Sequence, residues 1–328
     1  VTDQPTLTDG SLVLRPWRDD DLDRVAADGP APSDVDRWRE GWRDRTEVAY
    51  AVEHAGDLVG SVDVRRTDEH TGELAWTLYD GHRGRGHATR AVRLLVDWAL
   101  TEISLGGLGL SRVQARVDPI DERSVRVATR SGLRHEGVQR VVAGTGERPE
   151  TESYVVLSRL STDPPLSDPG AFRSLLNSFL PRKRAIAQMF VRDDQDRVLL
   201  CQLTYKQDWD LPGGVVEVGE SPHLAVVREV AEELALDIPA GRLLLTDWLP
   251  PWGGWDDALC LVFDGGQHAA SITDAIVEQA REIRSAQWCT LEEVHEHCAD
   301  FTARRIEAAW AALAGTGPSY TESGRSTT

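Results

Sequence analysis

Residues 213 to 236 constrain this chain more than any other stretch. They run Gly213-Gly214-Val215-Val216-Glu217-Val218-Gly219-Glu220, then seven residues, then Arg228-Glu229-Val230-Ala231-Glu232-Glu233-Leu234-Ala235-Leu236. Pro222 suits the first turn of a helix, where its missing N–H has no intrahelical partner to lose. Val226, Val227, Val230 and Leu234 recur at the spacing of one buried stripe. Glu229, Glu232 and Glu233 stand at i, i+3 and i+4, so their carboxylates are expected on one side of the helix. Like charges that close repel, and a plain solvated face would interleave them with basic residues. A hard divalent cation relieves the repulsion, and carboxylate oxygens are what Mg²⁺ (or Mn²⁺) takes. The Gly213-Gly214 turn lets backbone approach that cation or a phosphate closely. An acidic surface helix is the alternative, and it is common for a lone E-x-x-E-E. Here the glycine, Glu220, Arg228 and the glutamate triplet all fall in one register.

That register resembles the Nudix box, G-x5-E-x7-R-E-U-x-E-E-x-G-U, where U is a bulky aliphatic residue. Trp209-Asp210-Leu211-Pro212-Gly213-Gly214 resembles the W-x-L-P-G-G lead-in of the same family, and the likeness covers Arg182 to Leu313. The resemblance implies an α/β/α sandwich that hydrolyses a nucleoside diphosphate linked to a second moiety, of the ADP-ribose, nucleotide-sugar or dNTP class. It implies Glu229, Glu232 and Glu233 as metal ligands, with Glu229 also the general base. Gly213 is implied as a carbonyl ligand, Arg228 as the residue that orients the glutamates, and Glu220 as an outer acidic contributor. Glu282, in Arg281-Glu282-Ile283, stands where some members place one more catalytic, metal-binding carboxylate. Ala235 departs from the box, whose glycine ends the helix; the departure bears on backbone conformation and removes no ligand. Pro251, fifteen residues beyond Leu236, resembles a marker of ADP-ribose-type members, but Pro250-Pro251-Trp252-Gly253-Gly254 is equally a turn-rich loop. Trp252 and Trp255 either stack a base or cover a core edge.

The first half reads β-α-α-β-β-β-α-β-α-β. Leu12 to Arg15 is a short strand, and an acidic helix begins over Asp19 to Ala26. Strands follow at Val48 to Glu53, Leu58 to Val64 and Glu73 to Leu78. Ala88 to Thr101 is a helix with Ala91, Leu94, Leu95, Trp98 and Ala99 on one face. Arg83-Gly84-Arg85-Gly86-His87-Ala88 joins that last strand to this helix. Glycines there permit a tight turn of converging N–H groups, and the helix N-terminus favours negative charge, which makes a pyrophosphate cradle.

Alone such a turn is an ordinary strand-to-helix loop. In context it resembles the GNAT acetyltransferase pattern R/Q-x-x-G-x-G/A through Arg83, Gly86 and Ala88. Leu12-Val13-Leu14-Arg15-Pro16-Trp17 with Asp20-Asp21-Leu22 resembles the opening of the Rim-type subgroup, which acetylates protein N-termini or small amines. Asp118-Pro119 through Asp121 and Ser124, with Gly132-Leu133 and Glu136-Gly137, resembles that subgroup's N-x-x-S…G-F-x-x-E-G segment. The likeness covers Thr6 to Leu160. It implies a mixed, mostly antiparallel sheet with helices on both faces. It also implies acetyl-CoA held by Arg83, Gly84, Arg85, Gly86, His87, Ala88, Asp121 and Ser124. Glu73 is the implied carboxylate base for the incoming amine. Asp121 replaces the usual Asn, and Ala128 stands where many relatives carry a tyrosine acid.

The chain is thus expected to be an α/β (α+β) protein in two parts. Residues 1–160 form the GNAT-like domain, 161–181 a turn-rich linker, 182–314 the Nudix-like domain and 315–328 a disordered tail. Phe172 to Leu180 forms a short helix within the linker. The apolar fraction of 41% supports real cores. A formal charge of -18 argues against nucleic-acid binding, which depends on Lys and Arg neutralising phosphates. Cys201, Cys260, Cys289 and Cys298 form no C-x-x-C pair, which suggests a reducing, cytoplasmic setting. Nothing at the N-terminus resembles a signal, and no apolar run reaches the roughly 18 residues of a membrane span. The expected partners are a small nucleotide and an amine acceptor, either a small molecule or a protein N-terminus. The expected function is a bifunctional enzyme. The alternatives are an active Nudix hydrolase whose first half only binds acyl-CoA, or a nucleotide-sensing regulator.

Overall fold

The computed structural model describes residues 4–21, 32–143, 150–205 and 207–327. The chain divides into two compact units, Val1–Leu180 and Pro181–Thr328.

In the first unit the strands are β1 (Leu7–Thr8), β2 (Leu12–Arg15), β3 (Glu47–His54), β4 (Asp57–Arg66), β5 (Thr71–Leu78), β6 (Arg112–Val117), β7 (Arg134–Ala143) and β8 (Glu150–Leu160). The helices are α1 (Pro32–Asp44), α2 (His87–Leu100), α3 (Glu122–Arg130) and α4 (Pro169–Phe179). The sheet order is β1-β2-β3-β4-β5-β6-β8-β7, antiparallel throughout except for β5 beside β6. Strands β3 to β5 alternate, as period-2 side chains require. Val48, Tyr50, Val52, Val62, Val64 and Leu74 pack under Ala91, Val92, Leu95, Val96 and Ala99 of α2. The opposite row, Ala49 and Ala51, packs under Val35 and Trp38 of α1. Helices therefore cover both faces. Of the expected acidic helix, Asp19–Asp21 form a single 3-10 turn, and residues 22–26 lie outside the described residues.

In the second unit the strands are β9 (Arg184–Asp193), β10 (Val198–Leu203), β11 (Trp209–Asp210), β12 (Gly213–Val215), β13 (Leu243–Leu249), β14 (Ala258–His268), β15 (Ile283–Cys289), β16 (Tyr320–Glu322) and β17 (Arg325–Ser326). The helices are α5 (Pro222–Leu234), α6 (Leu291–His297) and α7 (Asp300–Leu313). One apolar layer joins the sheet to α5 through Val226, Val230 and Leu234, and another joins it to α6 and α7 through Val294, Ile306 and Ala309. This is the expected α/β/α sandwich. β9 and β10 meet only at their turn, by Val198 opposite Arg192. There the buried Asp193 carboxylate accepts the N–H groups of Gln195 and Arg197. Beyond the turn the strands part: β10 pairs with β15, and β12 takes the place beside β9.

Two boundaries differ from the expectation. The linker over 161–181 is largely absorbed into the first unit. Ala171 and Leu175, four apart on α4, are buried, and the His135 N–H donates to Ser178 Oγ at 3.1 Å. The tail over 315–328 is not disordered across its described part. β16 runs parallel to β13 and folds back as β17. Its anchor is distant in sequence: the fully buried Asp247 accepts from Thr321 Oγ1 at 2.7 Å and from the Gly324 N–H at 2.8 Å.

Ala235, in the box glycine's place, caps α5 in the left-handed region at φ 57°. That conformation costs an L-residue about 1–2 kcal/mol, part of which glycine gives back as unfolded-chain entropy. Ala235→Gly is expected to stabilise the second unit by about 1 kcal/mol, read as a higher urea midpoint. An unchanged or lower midpoint would refute the strain.

All four cysteines are thiols in no disulfide, lie in the second unit and are at most 7% exposed. Burial pushes the Cys289 thiol up to about 11 and holds Cys201 well above the ordinary thiol range. Ellman's reagent is expected to label none of them in the native protein and all of them on unfolding, at the rate at which the second unit opens. Rapid labelling of any one under native conditions would contradict this packing.

Candidate active sites

In the second unit the site forms where β12 faces α5. Gly213 is at φ 136°, and a Cβ there would lie 2.2 Å from the Ala187 carbonyl oxygen. A Cβ on Gly214 would lie 2.5 to 2.7 Å from the Glu229 carboxylate. Both glycines are therefore required by close approach, the second by the site itself. The Gly213 N–H donates to Glu233 Oε2 at 2.9 Å.

Arg228 ties the loop to the helix. Its Nε and Nη2 each donate to Glu220 at 2.9 Å, and its Nη1 donates to Glu229 at 2.9 Å and to Glu232 at 3.0 Å. Glu220 is held below its ordinary pKa by this guanidinium.

The three glutamates are less alike than their spacing suggests. Glu232 is exposed, Glu229 half-buried, and Glu233 lies on the buried stripe at 4% exposure. Burial, with Glu229, Glu282 and Asp210 nearby, pushes Glu233 up to about 8 although the Gly213 N–H opposes it. Burial also raises Glu229, against the pull of Arg228 and with a push from Glu232 and Glu282. Glu282 is exposed at the mouth of β15, within electrostatic reach of both.

Among the described residues, no group of three or more His, Cys, Asp or Glu side chains is gathered as placed around one point. Arg228 and the Gly213 N–H take the carboxylates instead. The chemistry of the donor set nevertheless fits a hard divalent cation. The charged forms of Glu229 and Glu233 are disfavoured by burial and by neighbouring carboxylates, and a cation would relieve both penalties.

In the first unit, Gly84 and Gly86 take left-handed backbone at φ 76° and 82° before α2. The first helical hydrogen bond runs from the Arg90 N–H to the Gly86 carbonyl, so the N–H groups of His87, Ala88 and Thr89 have no partner within the helix. Arg85 is exposed beside them. Arg83 is turned back, its Nε donating to the Leu78 carbonyl at 3.0 Å. His87 contributes backbone only: its ring is buried against His54, 4.5 Å between centroids, and burial lowers its pKa.

Asp121 caps α3, accepting the Ser124 N–H at 3.1 Å, so these two residues serve the helix start. Ala128 is fully buried in the core and is a packing position. Glu73 receives Nε and Nη2 of Arg116, each at 3.1 Å. Sequence reasoning missed Asp63, on the strand beside Glu73, because its alternation with Val62 and Val64 reads as a solvated face.

Two enzyme domains in series are the class of protein that these folds and sites define. Residues 11–134 match the family model of the acetyltransferase (GNAT) domain, and residues 181–310 match that of the NUDIX domain. A MutT-like protein of Streptomyces ambofaciens is 30% identical over 134 residues, covering 41% of this chain and 79% of that protein. A Bacillus licheniformis protein named uncharacterized N-acetyltransferase p20 is 24% identical over 147 residues, covering 41% of this chain and 78% of its own. The solved structure of Mycobacterium smegmatis RimJ in complex with CoA-disulfide is similar with a TM-score of 0.39 and 18% identity, over 52% of this chain and 91% of that one. The chain belongs to the Nudix family through its second unit and carries a GNAT acetyltransferase domain in its first. No helix among the described residues is long and apolar enough to cross a membrane.

Proposed function

We propose that the chain is a bifunctional enzyme. Its second unit hydrolyses a nucleoside diphosphate linked to a second moiety, with Mg²⁺ or Mn²⁺, and its first transfers acetyl from acetyl-CoA to an amine. The observation that carries the hydrolase reading is the packing of the Glu229 carboxylate onto Gly214, with Glu233 on the Gly213 N–H and Arg228 between Glu220, Glu229 and Glu232. Glu229, Glu232, Glu233, Glu282 and the Gly213 carbonyl are the residues that would hold the cation. When bound, the cation polarises phosphoryl oxygens and lowers the pKa of water.

The protein's own residues supply the rest. Glu229, with a raised pKa, accepts the proton of the attacking water as the new P–O bond forms and the pyrophosphate P–O bond breaks. Arg228 fixes the direction of the Glu229 and Glu232 carboxylates. The exposed indoles of Trp252 and Trp255 offer faces on which a base stacks, although Trp252 already meets Phe301 and Arg184 lies over Trp255. In the first unit, the free N–H groups at the start of α2 and the Gly84–Gly86 turn suit the pyrophosphate of acetyl-CoA.

The experiment is separation and identification of the cleaved products by anion-exchange chromatography, with Mg²⁺ or Mn²⁺, across ADP-ribose, nucleotide sugars, dNTPs, CoA and dinucleoside polyphosphates, with Glu229→Gln alongside. Selective turnover lost in the variant is expected. Silence across the panel with both metals would overturn the hydrolase reading in favour of nucleotide sensing.

A further inference from the structure

The first unit contains a cavity of about 530 Å³, lined by Arg37 and Trp38 of α1, Glu47 of β3, Asp63 and Arg65 of β4, and Glu73, Leu74 and Ala75 of β5. Its position follows from the strand registers. Glu47, Arg65 and Glu73 lie side by side across three strands, and the next row on the same face is Ala49, Asp63 and Ala75. The alanines flanking Asp63 leave the space over its carboxylate unfilled.

The charges around the cavity are mostly spoken for. Glu47 accepts Trp38 Nε1 at 3.0 Å and Arg37 Nε at 3.3 Å. Glu73 is held by Nε and Nη2 of Arg116, with Arg65 at 3.9 Å. Among the described residues no hydrogen bond or ion pair holds Asp63. Burial and Glu47 push its pKa up to about 7, against the pull of Arg37 and Arg65.

Both oxygens of Glu73 already accept from Arg116. An unpaired carboxylate that titrates near neutrality is suited to taking a proton. β5 links this place to the cradle, since its Glu73–Ala75 stretch lines the cavity and its far end runs into the Gly84–Gly86 turn. β5 also parts from β6 beyond the pairing of Glu73 with Gln114, opening the sheet beside Ala75.

We propose that this cavity binds the acceptor, a small primary alkylamine, and that Asp63 rather than Glu73 is its general base. The proposal rests on the acetyltransferase reading of the first unit. The volume suits a small molecule. The Asp63 carboxylate, which no described residue holds, matches one ammonium, and Trp38, Leu74 and Ala75 form an apolar wall for its carbon chain. In the reaction Asp63 takes a proton from the ammonium. The freed nitrogen lone pair forms the C–N bond to the thioester carbonyl, the C–S bond breaks, and the second nitrogen proton goes to the departing thiolate. Asp63 returns its proton to solvent.

The test uses the full chain labelled with ¹³C at its aspartate carboxyls. The probes are n-butylamine and n-butanol, alike in carbon chain but not in charge. The Asp63 resonance, assigned by its loss in Asp63→Asn, is expected to titrate near 7. Butylamine is expected to lower that midpoint by about one pH unit or more, and butanol to leave it in place. A midpoint in the ordinary carboxylate range, no response to butylamine, or an equal response to butanol overturns the proposal.

Calorimetry with acetyl-CoA separates the two readings. If acetyl-CoA does not bind while butylamine still moves Asp63, the acetyltransferase reading fails and the amine site stands. Where both bind, acetylation of butylamine is followed by mass spectrometry against pH. Asp63→Asn is expected to lose about 100-fold or more in kcat/KM together with the rise through neutrality, whereas Glu73→Gln, whatever its rate, is expected to keep that rise. The reverse pattern assigns the base to Glu73 and overturns the proposal.

Discussion

Glu229→Gln is expected to lower hydrolytic turnover by about 10²- to 10⁴-fold, the usual loss when a general base is removed, without loss of stability. The two effects part because of where the side chain sits. Glutamine has the same shape, keeps the contact with Gly214, and still offers an oxygen to Arg228 Nη1. It lacks the charge, which burial and the neighbouring carboxylates disfavour in the folded state. A carboxylate raised on folding weakens the native state above its unfolded pKa, and the penalty is complete above its folded pKa. Removing that charge should therefore leave the second unit as stable at neutral pH, or more so. Turnover at saturating substrate and a urea transition on the same preparation decide the matter. Activity within tenfold of the parent, or a loss matched by unfolding, would refute the assignment.

Asp247→Ala is expected to cost the second unit about 3–5 kcal/mol, the range for removing one partner of a buried ion pair. Arg305 is 2% exposed and directs Nε to Asp247 at 2.9 Å and Nη1 to Gln188 at 2.9 Å, with Asp210 at 3.7 Å. Without Asp247 the guanidinium keeps only the more distant carboxylate, and Thr321 and Gly324 lose their acceptor. The expected result is a large drop in urea midpoint with fast amide exchange through β16 and β17. A shift below about 1 kcal/mol, or a hairpin still protected from exchange, would show that the network does not hold the C-terminal strands.

Much of the hydrolase site was legible because a short helix carries it. Pro222, the valine stripe and the glutamate spacing are local, and local pattern survives folding. The sequence did not separate the glutamates from one another. Glu233 follows Val226 by seven and Val230 by three, which puts it on the buried stripe, but reading the triplet as one face passes over that position; the Gly213 N–H meets it there. In the first unit the helix of Ala88 to Thr101 and the strands near 12–15, 48–53, 58–64 and 73–78 were readable from period, but not their order in the sheet. The functional weight of Asp63 was not, because alternation marks a face without saying what covers it, and here α1 does. Asp121 and Ala128 were read against a family pattern, whereas their surroundings give them a cap and a core place. The C-terminal hairpin stayed hidden for a related reason. Its Gly, Ser and Thr content matches disordered sequence, and what orders it is a carboxylate roughly 70 residues earlier.

The glycine pair at 213 and 214 has a meaning for the freedom of this sequence to drift. A first side-chain carbon at 213 meets main chain, and one at 214 meets the group expected to do chemistry. The first collision is with the scaffold, so a substitution there threatens folding whatever reaction the protein performs. The second is with a movable side chain, so a descendant that had abandoned hydrolysis could accept alanine at 214 while keeping glycine at 213. The two neighbours thus record different histories, one of the fold and one of its use.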